Sequence, residues 1–165
     1  MREAYIVNSV RTPGCRRGKG ALAQTRPEEL IVQALDALID RTPGVEKKDV
    51  EDLMIGCAFP EAEQGLNIGR VAAQMAKFPD DTCGATVNRF CASGLEGIAL
   101  QAMRVKSGWC EVAIGGGVES MSQMPLIYNK EMTELFVNVM KSRTVSDKLK
   151  AVSSFRPPFL SPIIA

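Results

Sequence analysis

The chain contains no histidine among its 165 residues. Histidine is the side chain that most often serves as a general acid or base near neutral pH. Its absence therefore restricts every mechanism that the chain can support by itself.

Paired cysteine motifs are also absent. The five cysteines, at positions 15, 57, 83, 91 and 110, are odd in number and include no Cys-x-x-Cys pair. This pattern argues against a disulfide framework and against a zinc site. We therefore expect no metal, and a reducing compartment, the cytoplasm.

Long apolar runs and an excess of one charge are missing too. No stretch of about 18 apolar residues is present, so we expect no transmembrane helix. The start MREAYIVNSV lacks the basic region and long apolar stretch of a secretory signal.

Twenty basic against 19 acidic residues give a net charge of +1, which indicates neither nucleic acid nor an anionic membrane as a partner. With 45% hydrophobic and 24% charged residues, the composition is typical of a soluble globular protein.

What is present, up to about residue 115, is an alternation of strand-like and helix-like segments. The strand-like segments are residues 5–10, 53–59, 83–88 and 111–114. Apolar residues at helical spacing predict helices over 27–41, about 68–76 (with Asn67 as N-cap) and 92–106. The order β-α-β-α-β-α-β predicts an α/β fold with a mixed, mostly parallel sheet flanked by helices, because right-handed crossovers join parallel strands.

The character of the sequence changes after about residue 124. Residues 129–141 predict an amphipathic helix whose inward residues are Met132, Leu135, Phe136, Val139 and Met140. The stretch 153–165 (SSFRPPFLSPIIA) is rich in Pro and Ser, so we expect it to be irregular, with an exposed apolar end. The change predicts two domains, residues 1–125 and a divergent tail of residues 126–165 with one amphipathic helix.

Cys91 is the residue best placed for chemistry. It lies between a predicted strand and the first turn of a predicted helix, where unpaired backbone N–H groups and the helix dipole stabilise a thiolate. The small residues Ala92, Ser93 and Gly94 follow and let an acyl group approach the sulfur. Such a position suits a nucleophile that forms a thioester. The alternative is a small buried core residue, which most free cysteines are and which we favour for the other four.

Two further motifs carry weaker signals. The run Gly115–Gly117 suggests a dinucleotide-binding loop, but the third glycine of that fingerprint and a following helix pattern are missing, and we reject it. A basic loop with Arg16, Arg17 and Lys19 could contact phosphates, although a solvated surface loop is the favoured interpretation.

Residues 87–105, VNRFCASGLEGIALQAMRV, resemble the acyl-enzyme signature of the thiolase family, in which an asparagine, here Asn88, lies three residues before the cysteine. Three other segments resemble the family in the same order, namely AYIVNSVRTP (4–13), GCAFPEAEQGLNIGR (56–70) and IGGGVESMSQMP (114–125). The resemblance covers about residues 1–125, which we therefore interpret as a thiolase N-terminal domain. The segment CAFPEAEQG is most similar to the acetyl-CoA acyltransferases, or 3-ketoacyl-CoA thiolases, of fatty-acid degradation.

The resemblance implies a reaction and a set of partners. Cys91 would attack the keto carbon of a 3-ketoacyl-CoA, release acetyl-CoA and pass the acyl group to free coenzyme A. The backbone N–H of Cys91 would donate to the thioester oxygen, and the loop at Gly115–Gly117 would pass near the site. Coenzyme A is then a substrate, no cofactor is permanently bound, and the chain forms a homodimer or pairs with another thiolase chain.

The chain also departs from the family. By the same resemblance, the second half of a thiolase supplies a histidine that activates the cysteine, a second cysteine that handles the α-proton, and another histidine in an oxyanion site. This chain has no histidine to fill either histidine role. We therefore expect a truncated chain that has little or no activity alone. The alternatives are a non-catalytic fragment or split-enzyme subunit that pairs with another thiolase chain, and a ketoacyl synthase-like condensing enzyme.

Overall fold

The computed structural model describes residues 2–125 and 127–161 of the chain. They fall into two compact units that divide between Met124 and Pro125, and each unit is described by itself. The first unit contains a parallel sheet flanked by helices, which confirms the predicted α/β class.

Three strands form the sheet of the first unit: β1 (Asp52–Gly56), β2 (Cys83–Val87) and β3 (Ala113–Gly117). Their order is β2-β1-β3, and both pairings are parallel, with Asp52 opposite Cys83 and Ala113. All five residues of the central strand β1 are buried, as expected for a parallel strand that is covered on both faces. The carboxyl ends of the three strands lie at the same edge of the sheet.

Three helices accompany these strands: α1 (Pro27–Asp40), α2 (Ile68–Met75) and α3 (Ser93–Ser107). The predicted cap of α2 is confirmed, because the Asn67 side chain accepts a hydrogen bond from the Arg70 N–H at 3.2 Å. The core is built from apolar residues of β1, α1 and α2, with Leu53 and Ile55 fully buried. Each such side chain stabilises the fold by about 1.5–3 kcal/mol.

Residues 5–10 form no strand, so the prediction of a first strand there is wrong. The side chains of Tyr5, Ile6 and Val7 are 79%, 81% and 77% exposed. β-branched residues favour an extended backbone, but a strand also needs the hydrogen bonds of a neighbouring strand. In the described part of the chain, residues 5–10 do not pair with either edge strand, β2 or β3.

Helix α3 packs on the sheet through its small and polar side. Ser93, Gly97 and Gln101 are buried. Leu95 and Met103, two of the apolar residues whose helical spacing predicted an apolar face on this helix, are 71% and 65% exposed. The first unit therefore leaves apolar helix surface uncovered, which is typical of a surface that meets another protein segment.

The run Gly115–Gly117 lies within β3 rather than in a loop after it, which corrects the position that the resemblance implied. A Cβ atom on Gly115 would lie 2.6 Å from the Cα atom of Ile98 in α3. Glycine is needed there because no side chain fits between the strand and the helix. Gly115 therefore serves the close packing of α3 on the sheet.

The second unit contains α4 (Lys130–Lys141), α5 (Val145–Ser153) and a short 3₁₀ turn (Pro157–Leu160). Met132 and Leu135 of α4 are buried, but Phe136 and Met140 are exposed, so the inward face is narrower than predicted. Helix α5 was not predicted, and the 3₁₀ turn falls in a stretch that was expected to be irregular. The expected apolar end at residues 162–165 lies outside the described residues.

None of the helices that the structure describes has the length and apolar character needed to cross a bilayer. The division of the chain into a domain of residues 1–125 and a tail of residues 126–165 stays a prediction.

Candidate active site

An open cleft of about 440 Å³ lies at the carboxyl edge of the sheet. The segments that follow the three strands meet there, and this edge is where open parallel α/β sheets bind their ligands. The residues that line the cleft include Phe59, Phe90, Cys91, Gly94, Glu119 and Met121. The cleft therefore combines aromatic and thioether side chains with one thiol and one carboxylate.

Cys91 lies between the end of β2 and the start of α3, and its side chain is exposed at the cleft. Ala92 is the N-cap of α3, so one residue separates Cys91 from Ser93, the first residue of the helix. This exposure does not fit the alternative interpretation of Cys91 as a buried core residue. Its role as a nucleophile stays a prediction.

The backbone before Cys91 makes a tight turn. Phe90 has a φ of +49°, a conformation that is unfavourable for a residue with a bulky side chain and that persists only where surrounding bonds hold it. The buried Ser93 hydroxyl accepts from the Arg89 N–H at 2.9 Å and donates to the Phe90 carbonyl at 2.6 Å. The side-chain oxygen (Oδ1) of Asn88 accepts from the Phe90 N–H at 2.8 Å. Two side chains thus hold the turn that presents Cys91.

Gly56, the last residue of β1, brings this turn close to the sheet. A Cβ atom at this position would lie 2.3 Å from the Ser93 carbonyl carbon, far inside van der Waals contact. Because a backbone atom cannot swing aside, only glycine lets the first residue of α3 lie against the end of β1.

The other cysteines differ from Cys91 in their environment. Cys57 and Cys110 are buried, as predicted. Cys15 and Cys83 are exposed, so the expectation of a buried core residue is wrong for these two. All five cysteines are free thiols. Burial, assisted by the neighbouring Glu119 carboxylate, raises the pKa of Cys57 to about 11. Burial also raises the pKa of Cys110. Both buried residues therefore remain protonated and unreactive at neutral pH.

The raised pKa of Cys57 predicts a loss of stability in alkaline solution. From the ordinary value of 9.0 to about 11, the unfolded chain releases a proton that the folded chain retains. Stability therefore falls as pH rises through this window, by about 2 kcal/mol when complete. Urea unfolding between pH 8 and pH 11 measures this loss. We expect Cys57→Ala to lose less stability across the window than the parent chain, and an equal loss in both would contradict the assignment.

The sequence interpretation missed Glu119, which lines the cleft, and its buried partner Gln64. The Glu119 carboxylate accepts hydrogen bonds from the Ala58 backbone N–H at 2.6 Å and from the side-chain amide of Gln64, which is fully buried. The available signal was a carboxylate two residues after a strand, at the edge where ligands bind in parallel sheets. By contrast, the basic residues Arg16 and Lys19 are exposed and do not line the cleft.

An exposed side chain on a held turn between a strand and a helix is typical of α/β enzymes that use a nucleophile. The family model described as thiolase, N-terminal domain, matches residues 4–154 of this chain. The chain belongs to the thiolase family. The match continues well beyond residue 125, where the resemblance recognised in the sequence ends.

Individual relatives agree with this assignment. The chain is 45% identical over 127 residues to the 3-ketoacyl-CoA thiolase of Bacillus subtilis (strain 168), an alignment that covers 77% of this chain and 32% of that protein. It is 38% identical over 158 residues to the β-ketoadipyl-CoA thiolase of Acinetobacter baylyi (strain ATCC 33305 / BD413 / ADP1), covering 92% of this chain and 39% of that protein.

The fold of the chain is also similar to a solved structure, the Bacillus anthracis acetyl-CoA acetyltransferase. The TM-score is 0.69 at 38% sequence identity, over 75% of this chain and 30% of that one. The chain thus spans about a third of the length of the relatives that it matches.

Proposed function

We propose that this chain supplies the nucleophile-bearing part of a thiolase-type acyltransferase, with Cys91 as the residue that takes up the acyl group. The observation that supports this most is the exposed Cys91 thiol on a held strand–helix turn at the cleft, inside the region that matches the thiolase family.

In the proposed reaction, the Cys91 sulfur attacks the keto carbon of a 3-ketoacyl-CoA. The bond between the second and third acyl carbons breaks, acetyl-CoA leaves after gaining a proton at its second carbon, and an acyl thioester forms on Cys91. The thiol of coenzyme A then attacks this thioester, loses its proton and restores the free cysteine. Coenzyme A is a substrate throughout, and no permanently bound cofactor takes part.

The backbone N–H of Cys91 is proposed to donate to the thioester oxygen. None of the backbone hydrogen bonds found within the described residues uses this N–H as donor. A preorganised N–H directed at a developing oxyanion accelerates acyl transfer by about 10²–10³-fold.

Proton transfer needs a group that this histidine-free chain does not contain. We propose that histidines of another thiolase segment or chain complete the site. The exposed apolar residues Leu95 and Met103 of α3 support a partner of this kind, because a helix face with such side chains is normally covered. The partners are then acyl-CoA, coenzyme A, and a second copy or another thiolase chain, in the degradation of fatty acids in the cytoplasm.

The same two observations favour a second candidate function. A chain without histidine and with an uncovered helix face can act as a non-catalytic fragment that pairs with a thiolase chain. The two candidates differ in whether Cys91 becomes acylated.

Acylation of Cys91 tests the proposal. The chain is incubated with acetyl-CoA or acetoacetyl-CoA, and peptide mass spectrometry locates the added acetyl group. We expect the adduct on Cys91 and its loss in Cys91→Ala. Cys83→Ala, which removes another exposed cysteine, is the matched control and should keep the adduct. A chain labelled equally at Cys83, or not labelled at Cys91, would favour the non-catalytic candidate.

A further inference from the structure

Glu119 holds together two of the segments that form the cleft. It lies two residues beyond β3, and its carboxylate accepts from the Ala58 N–H at 2.6 Å and from the Gln64 side chain, both in the segment after β1. The Cys57 thiol lies 3.9 Å from the same carboxylate. Three donors from one segment thus converge on a single side chain from another.

Gln64 has no freedom to choose other partners. Its side chain is fully buried, its amide nitrogen donates to the Phe59 carbonyl at 2.8 Å as well as to Glu119, and its carbonyl oxygen accepts from the Ser120 N–H at 2.9 Å. Both N–H donors of the amide and one acceptor site of its oxygen are therefore used. Because the amide cannot be turned round without losing these bonds, it always presents a donor to Glu119.

A chain of bonds leads from Glu119 to the turn at Cys91. Ala58, whose N–H binds Glu119, accepts at its carbonyl from the Asn88 side-chain amide at 3.0 Å. The Asn88 oxygen in turn accepts from the Phe90 N–H at 2.8 Å, at the residue with positive φ just before Cys91. Ala58 is thus fixed at its N–H by the carboxylate and at its carbonyl by Asn88.

We infer that Glu119 is a positioning residue for Cys91. Glu119 acts through Ala58 and Asn88, and these bonds hold the unfavourable turn at Phe90. The inference rests on the proposed function only where it concerns the acylation rate. The carboxylate is the suitable group because it accepts at both oxygens and donates at neither. Its oxygens are occupied by the donors of Ala58 and Gln64, so its task is to hold the segments rather than to take a proton from the substrate.

Glu119→Gln is the sharpest test, because it keeps the shape and replaces one acceptor oxygen by a donor. The new amide must direct its N–H₂ at either Ala58 or Gln64, and both of these present donors. Either the bond to Ala58 or the bond to Gln64 is therefore lost, and in both cases the segment after β1 is held less firmly to residue 119. Glu61→Gln removes the same charge from an exposed position in the neighbouring segment and serves as the control.

Two measurements are made on both variants. Hydrogen exchange of residues 88–93 reports on the turn without any reaction, and we expect it to rise about 10-fold in Glu119→Gln and to stay unchanged in Glu61→Gln. The rate of Cys91 acylation by acetyl-CoA reports on function. We expect its limiting rate to fall about 10-fold while the half-saturating concentration changes little, since the misplaced group is the nucleophile.

Asn88→Ala breaks the same chain at its other end and gives a double-variant test. If Glu119 acts through Asn88, the double variant should exchange and react no differently from Asn88→Ala alone. Additive effects would overturn the route through Asn88.

Unchanged exchange in Glu119→Gln, or increased exchange with an unaltered acylation rate, would overturn the positioning role. A parent chain that is never acylated contradicts the proposed function instead, and the exchange measurements then decide by themselves whether Glu119 holds the turn.

Discussion

A protein consisting of residues 1–165 is expected to catalyse the thiolysis of acetoacetyl-CoA at no more than the background rate. The sequence contains no histidine, and general acid–base catalysis typically contributes about 10²–10⁴-fold. Loss of one oxyanion-stabilising group costs about a further 10²–10³-fold. The measurement is the disappearance of acetoacetyl-CoA in the presence of coenzyme A, and turnover well above background would refute the expectation.

Supplying the missing groups should restore activity. We expect the rate to rise at least about 100-fold when the chain is co-expressed with the part of a longer thiolase that follows the matched region, because we propose that this part supplies the acid–base groups. The same mixture made with Cys91→Ala is the control and should remain at background. Equal activity with Cys91→Ala would show that the nucleophile comes from the added part.

Replacing Gly56 by alanine is expected to destabilise the fold and displace the candidate nucleophile at the same time. The new Cβ would lie 2.3 Å from the Ser93 carbonyl carbon, so the start of α3 must move away from β1. Overpacking of this kind costs about 1–3 kcal/mol, and more where only backbone atoms face the added group. Since Cys91 lies directly before α3, its acylation should slow as well.

Gly116→Ala is a matched control for this substitution. Gly116 lies in β3 of the same sheet, and a Cβ atom there would meet nothing within 4 Å. We expect Gly116→Ala to leave the free energy of unfolding within about 0.5 kcal/mol of the parent chain. Urea unfolding of both variants makes the comparison, and a Gly56→Ala chain that is no less stable than Gly116→Ala would contradict the close contact.

Local pattern was enough to predict most of the secondary structure. The helices at 27–40, 68–75 and 93–107 have apolar residues at helical spacing or clear terminal signals, such as the Asn67 cap, and these depend only on neighbours along the chain. The strand at 5–10 was predicted on the same basis and does not form, because the extended preference of its residues cannot supply a partner strand.

Periodicity also predicted an apolar face on α3 but not the direction in which it points. The helix turns Gly97 towards the sheet and leaves Leu95 exposed, since the closest packing is made by small residues that meet backbone. The apolar character of a side chain indicates only its tendency to be buried. Which side of a helix faces a sheet depends on how closely the atoms of the two elements can pack.

For the candidate site, the sequence by itself determined that Cys91 lies between a strand and a helix in a thiolase-like signature. These features depend only on residues that are neighbours along the chain. Only the tertiary structure decided what surrounds it. Glu119 and Gln64 are 55 residues apart and meet only because the parallel strands place their carboxyl ends at one edge. Hydrogen bonds between such distant residues have no periodic signature, so the bonds that hold Cys91 in place became visible only in the fold.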